Sequence, residues 1–331
     1  MSFRYDMPAS SPISLKGENP EDEFPTAFPS GILTLHEPSE AVVDIVFVHG
    51  LSGDREKTWA SPGESKCWPR DLLPAKVPKT RILTFGYDAY VIAPGKLSQD
   101  RIRDHARDLV NRLASARTTE EERNRPIIFV GHSLGGIVCK DALQVSTNNA
   151  ESHLQAIAAL TRAILFVATP HTGSSVASWA KIPAKLLARF QLTNTKLLPI
   201  LEETSEVRDR IHDDFLSLLR KRQLRDPPLD ITCLFETLNM GPVTVVSPNS
   251  AVITGYNSIS IHANHRDIVR MTGGNWEGAD TIVKELKRWI EGFAMGLRRG
   301  RRHRPTSSAP LRPVSRFLAN IRQTKYHRTR Y

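Results

Sequence analysis

A serine stands between two glycines in the stretch IIFVGHSLGGIVCKDAL, Ile127–Leu143. Four apolar residues, Ile127–Val130, lead into Gly131-His132-Ser133-Leu134-Gly135, and Ile137, Val138 and Leu143 follow where the pattern turns helical. A serine on so tight a strand-to-helix turn is forced into a strained backbone conformation that lifts its oxygen clear of the sheet. Its neighbours two positions away are expected to approach each other, where a Cβ would clash and glycine has none. The helix start supplies unpaired N–H groups and partial positive charge, a place to stabilise an oxyanion. The chemistry this allows is nucleophilic attack by Ser133 on a carbonyl carbon. The plain alternative is a turn with a structural role only.

A serine hydroxyl is a poor nucleophile at neutral pH and needs a general base, which in turn needs an orienting carboxylate. On a strand–turn–helix elbow of this kind the partners follow in the order serine, acid, histidine. Downstream, Glu236 closes the apolar run ITCLF at a strand end, where folds of parallel strands display functional groups. Asp230 lies at the wrong end of that strand and Asp267 lies too close to the histidines; Glu202, Glu203 and Glu206 sit in a polar helical setting. Two histidines follow in SISIHANHRDI, His262 and His265, both on a loop before the final helix, and His265 is the preferred base. His171 precedes Glu236 and breaks the order, so it either lines the pocket or packs structurally, and His132 is read as a packing residue. Two oxyanion donors are needed. One is the amide of Leu134, and the other is the amide of Leu51 in HGLSGD, where Gly50 and Gly53 let the backbone approach.

These residues must be carried on alternating strands and helices. GILTLHEP reads as a short edge strand. Val42–Val48, Arg81–Phe85, Ile127–Val130, Ile164–Ala168, the run ending at Glu236, and Val243–Val246 read as further strands. WPRDLLP holds a short helix. Ser98 caps an amphipathic helix with Ile102, Ala106, Leu109 and Leu113 on one face. A helical stretch at about 174–223 carries Val207, Ile211, Phe215 and Leu218, placed where a lid could cover the site. A last helix spans about 278–297. Strands that are apolar throughout are covered on both faces, as in parallel α/β sheets.

The chain has 331 residues and a formal net charge of +10. That charge is not spread evenly. Eleven Lys and Arg and no acid lie between Arg298 and Tyr331, which leaves 34 basic against 35 acidic residues before them. The globular part is thus near neutral and a nucleic-acid partner is not expected; the basic tail, 298–331, is read as disordered, with peripheral contact to an anionic membrane as its functional alternative. Residues 1–30 are Pro- and Ser-containing, without period, and are read as disordered. Three cysteines, an odd number with no CxxC pair, favour a reducing compartment and small core thiols over disulfides or zinc. No run approaches the roughly 20 apolar residues that span a bilayer, and no secretory signal is visible. The expected location is intracellular, cytoplasmic by sequence.

The stretches VDIVFVHGLSGDREKTW, WPRDLLP, TRILTFGYDA, FVGHSLGGIVCKDAL, LFVATPHTGS and IHANHRDI resemble the serine esterase domain of the serine-active-site-containing proteins. That domain is similar to the lipase-like module preceding nucleotide-binding signalling domains in many fungal proteins. The resemblance runs from about Ile32 to Phe293. It implies an α/β-hydrolase fold over 31–297, Ser133 as nucleophile, His265 as base and Glu236 as acid, no cofactor and no metal, and an ester or lipid substrate. It also implies a link to mitochondrial and endoplasmic reticulum membranes. No P-loop follows, so a nucleotide-driven switch is not expected. The expected activity is carboxylic ester hydrolysis through an acyl-enzyme. The alternatives are a signalling or adaptor module with a vestigial site, and an acyltransferase in which an alcohol replaces water.

Overall fold

The computed structural model describes residues 29–51, 53–61, 63, 66–89, 99–172, 194–223, 228–240, 244–271 and 276–302, without the side chains of 99–100, 194–206 and 294–302. Seven strands form one sheet in the order β1-β3-β2-β4-β5-β6-β7. They are β1 Gly31–His36, β2 Val43–Val48, β3 Thr80–Gly86, β4 Ile127–His132, β5 Thr161–Val167, β6 Asp230–Glu236 and β7 Asn257–Ile261. β1 is antiparallel to β3, and every other pair is parallel. The edge strand β1 is only partly buried, whereas β2, β3 and β4 are buried at every position.

That continuous burial follows from helices on both faces. Among the described residues the helices are α1 Trp68–Asp71, α2 Leu73–Lys76, α3 Gln99–Ser115, α4 Glu120–Asn124, α5 Leu134–Thr147, α6 Ser152–Leu160, α7 Asn194–Gln223, α8 Pro248–Ala251 and α9 Glu277–Arg302. Side chains alternate across a strand. Val46, Val48, Leu83 and Phe85 join Ile102, Ala106, Leu109, Leu113, Ile137 and Phe215 in one core. Phe47 points to the other face, edge-on to Trp59 and Trp68 with ring centroids at 5.0 and 5.5 Å. The Trp68 indole donates to the Val269 carbonyl at 2.8 Å.

The N-terminal end of the sheet is closed by a buried ion cluster. Arg81, Arg117 and Arg125 all donate to the Asp44 carboxylate, at 2.5–2.9 Å, and Arg81 also reaches Glu37 and Glu122. The cluster ties β2 and β3 to the segment between α3 and β4. Its neutral sum leaves the opposite, C-terminal end for chemistry.

Several sequence expectations change here. Thr244–Val246 is not a strand; Val245 and Val246 are instead buried beside Phe235 and Met240. The last strand is Asn257–Ile261, paired in parallel to β6. Its polar alternation suits an exposed edge, while Val245 and Val246 serve a packing role that periodicity cannot distinguish from pairing. WPRDLLP forms two single turns, each with a proline at its start. From Val207 onward α7 packs into the main core with Val207, Ile211, Phe215 and Leu218, as the crossover between parallel neighbours β5 and β6. The remainder of the expected lid, 174–193, lies outside the described residues, as do Ser98, Val243, 1–28 and 303–331. The final helix extends to Arg302, so the first five residues of the expected tail are helical. Residues Met1–Trp289 and Ile290–Tyr331 form two separate units. No described helix is long and apolar enough to cross a membrane.

Candidate active site

Ser133 sits between the last residue of β4 and the first of α5, with φ 54° and ψ −123°. That is a conformation that L-residues avoid and glycine alone adopts readily. The turn is held by the Ser133 N–H donating to the Val167 carbonyl of β5 at 2.9 Å. Gly131 approaches Gly135 as expected, since a Cβ on Gly131 would lie 3.1 Å from the Gly135 carbonyl carbon, and each glycine has a closer neighbour as well. A Cβ on Gly131 would meet the Gly136 Cα at 2.7 Å, and one on Gly135 would run into the carbonyl oxygens of Val48 and His49. The elbow is therefore pressed against its own helix on one side and against β2 on the other. Gly136, which the motif does not include, is excluded from bearing a side chain by Thr169.

Glu236 is the last residue of β6 and is buried. His265 lies past β7, on a turn that Asn264 organises. The Asn264 side-chain oxygen accepts from the Arg266 and Asp267 amides, both at 3.0 Å, and its amide donates to the Asp267 carboxylate at 2.7 Å. Short polar side chains nucleate such turns by bonding the backbone two residues on. The pairing of β6 with β7 continues beyond both strands, through the Leu238 N–H to Ala263 O bond at 3.1 Å, and brings this turn beside Glu236.

The three side chains meet. The Ser133 Oγ lies 3.0 Å from His265 Nε2, and His265 Nδ1 lies 3.1 Å from Glu236 Oε1. A carboxylate accepts, so in the neutral ring Nδ1 carries the hydrogen and Nε2 offers its lone pair to the serine hydroxyl. Glu236 Oε1 also accepts the Val246 N–H at 2.9 Å, so this segment holds the acid rather than pairing as a strand. His262 is elsewhere, exposed, with Nδ1 3.5 Å from Thr237 Oγ1. Asp230 stands at the start of β6, and Asp267 is engaged by Asn264.

His132 does more than pack. Its Nε2 donates to the His265 carbonyl at 2.9 Å, while Nδ1 is buried without a partner among the described residues. Burial pulls its pKa down to about 3, so the ring is neutral. The sequence signal for this role was weak: a histidine next to the elbow says nothing about a carbonyl 133 residues away. His171 is fully buried, edge-on to Phe166, with Nε2 3.5 Å from Cys233 Sγ. All three cysteines are buried free thiols. Among the described residues no set of His, Cys, Asp and Glu is gathered as a metal site would be.

The loop after β2 lies against the elbow. A Cβ on Gly50 would be 2.7 Å from the Ser133 Cβ and 3.0 Å from the His132 carbonyl. Leu51 is the next residue, and Leu134 is the first of α5, whose N–H has no partner within its helix. Leu134 thus follows Ser133 directly, and Leu51 follows a glycine that lies against it. A hydroxyl, an imidazole and a buried carboxylate in contact at the C-terminal ends of parallel strands form an arrangement that can carry out acyl transfer.

Comparison with known proteins agrees with the fold. The model of the alpha/beta hydrolase family matches residues 45–246. Protein SERAC1 of Bos taurus is 26% identical over 278 residues, covering 75% of this chain and 40% of that protein. Protein SERAC1 of Homo sapiens is 25% identical over 272 residues, covering 73% and 39%. The chain therefore spans about two-fifths of the length of these relatives. Among solved structures, the mature lipase BlEst2 of Bacillus licheniformis is 16% identical with TM-score 0.45, covering 77% of this chain and 96% of that one. A lipase-esterase related protein from Clostridium acetobutylicum is 11% identical with TM-score 0.42, covering 78% and 98%. With that family's model matched over most of the sheet, the chain belongs to the alpha/beta hydrolase family.

Proposed function

We propose that this protein is a serine hydrolase that cleaves carboxylic esters, lipid esters among them. The observation that carries the reading is the unbroken contact from Ser133 Oγ through His265 to Glu236, at 3.0 and 3.1 Å, on a strained elbow. Ser133 attacks the carbonyl carbon while His265 Nε2 takes its proton. The oxyanion is received by the amides of Leu51 and Leu134. His265 then protonates the leaving alcohol, and water, deprotonated by the same ring, releases the acid from Ser133. Glu236 holds the ring in the productive tautomer and stabilises the imidazolium. Membership of the family and relatedness to Protein SERAC1 support a hydrolase.

The test is twofold. A fluorophosphonate probe labels the wild-type protein on Ser133, and Ser133→Ala abolishes labelling. A series of p-nitrophenyl esters of graded acyl length shows turnover by the wild type and none above background by Ser133→Ala. Equal rates for both proteins overturn the proposal.

A further inference from the structure

His49 follows the last residue of β2 and is buried, and both of its ring nitrogens are engaged. Nδ1 is 2.9 Å from the Gly50 carbonyl oxygen. A carbonyl only accepts, so Nδ1 carries the hydrogen. Nε2, 3.3 Å from the Tyr87 backbone nitrogen, then accepts that N–H. The ring is stacked on Tyr87, with centroids 4.4 Å apart and planes within 10°. The Tyr87 hydroxyl donates back to the His49 carbonyl at 2.8 Å. Residue 49 is thereby held at its ring and at its backbone by the same tyrosine.

The Gly50 carbonyl has a second donor, the Gly53 N–H at 3.0 Å. The fit is close: a Cβ on Gly53 would lie 2.8 Å from the Gly50 oxygen and 2.8 Å from His49 Nδ1. The Gly50–Leu51 peptide is planar, so its N–H points opposite to its C=O. Two donors pull the carbonyl into the loop, and the Leu51 N–H is left facing outward. On the near side, the Gly50 α-carbon is against Ser133. Were the peptide to turn over, an acceptor would stand where the oxyanion needs a donor.

We infer that His49 and Tyr87 are positioning residues that aim the Leu51 amide at the oxyanion by clamping the Gly50 carbonyl. The inference rests on the serine-hydrolase reading given above. Neither side chain touches the substrate; the effect passes through one peptide plane. An amide misaimed in this way costs roughly 100-fold in kcat, the loss typical of one oxyanion donor.

The experiment compares wild type, His49→Ala, His49→Asn and Tyr87→Phe on p-nitrophenyl butyrate, with thermal midpoints for each. Inhibition by a trifluoromethyl ketone, which forms a tetrahedral adduct, is set against inhibition by a non-reactive ether analogue. His49→Ala is expected to lose roughly 100-fold in kcat with KM within about threefold. Ketone inhibition weakens in parallel while ether binding is unchanged. His49→Asn, whose side-chain amide puts a donor near the Nδ1 position, recovers roughly 10-fold of that loss, and Tyr87→Phe loses roughly 10-fold. If His49→Ala does not fold, Tyr87→Phe decides, since it keeps the stacked ring. The inference is overturned if folded variants retain kcat within twofold, or if ether binding falls together with ketone binding. A wild type that neither turns over the ester nor takes a fluorophosphonate overturns the serine-hydrolase reading itself, an outcome distinct from an active wild type with active variants.

Discussion

His132 Nε2 lies 2.9 Å from the carbonyl oxygen of His265, so the residue before Ser133 holds the backbone of the residue whose ring faces Ser133. Removing that donor leaves a partly buried carbonyl without this partner, at a cost of about 1 kcal/mol. His132→Ala is expected to lower kcat on a p-nitrophenyl ester roughly 10-fold, while His132→Gln, which keeps a donor, recovers part of the loss. Steady-state kinetics on the folded variants checks this. Wild-type kcat in His132→Ala would show that the His265 turn stands unaided.

Glu236 Oε1 accepts from both His265 and the Val246 amide, and the carboxylate is shielded from solvent. Glu236→Gln preserves the size and one acceptor but removes the charge that steadies the imidazolium. Under the proposed mechanism kcat drops by roughly two to four orders of magnitude with little change in KM. The thermal midpoint stays close to wild type, which separates the electrostatic effect from unfolding. A loss below threefold would remove Glu236 from the mechanism.

Strain at the elbow predicts an inverse relation between activity and stability. Ser133 has φ 54° and ψ −123°, a region accessible to glycine. Ser133→Gly should therefore be inactive yet more stable than Ser133→Ala, by about 1 kcal/mol. Urea unfolding of the two variants measures it. Equal midpoints would mean that the surrounding contacts, not the φ angle, set the energy of the turn.

Stability is expected to climb with pH in two windows. Burial pulls the pKa of His49 down to about 4 and that of His132 down to about 3, from about 6.5 when unfolded. Between those values the unfolded chain binds more protons, so stability falls as pH drops below about 6.5. Lys140 is buried beneath α7, 2.9 Å from His212 Nδ1 and over the rings of Phe166 and Phe215. Burial chiefly draws its pKa down to about 7, with Cys233, Arg208 and Asp209 adding smaller fields; His171 and His212 lie alongside as neutral rings. Between pH 7 and 10.5 the unfolded lysine holds a proton that the folded one has lost, so stability rises with pH across that window. The rise is on the order of 5 kcal/mol, and Lys140→Met should flatten it. Urea midpoints from pH 5 to 10 provide the measurement. An upper window unchanged by Lys140→Met would contradict the assignment.

Local pattern carried much of this protein. The elbow was legible because its signal is contiguous: an apolar strand, glycines flanking Ser133, then a helical period. The parallel α/β architecture was legible for a similar reason, since strands covered on both faces are apolar throughout, as β2 to β4 are. Chain order brought Glu236 and the 262–265 loop into view as candidates. The sequence already preferred His265 to His262, and the tertiary structure supplies the physical reason: an Asn264 turn directs two rings three residues apart to different places. Tertiary structure alone showed that SISI pairs as the edge strand while Val246 lends an amide to Glu236. The same holds for His49, Tyr87 and His132, which act through hydrogen bonds to carbonyls, and for the glycine clashes with β2 and Thr169. Periodicity reports which residues are withdrawn from water; it holds no record of which distant backbone groups they meet there, since that depends on strand order and register.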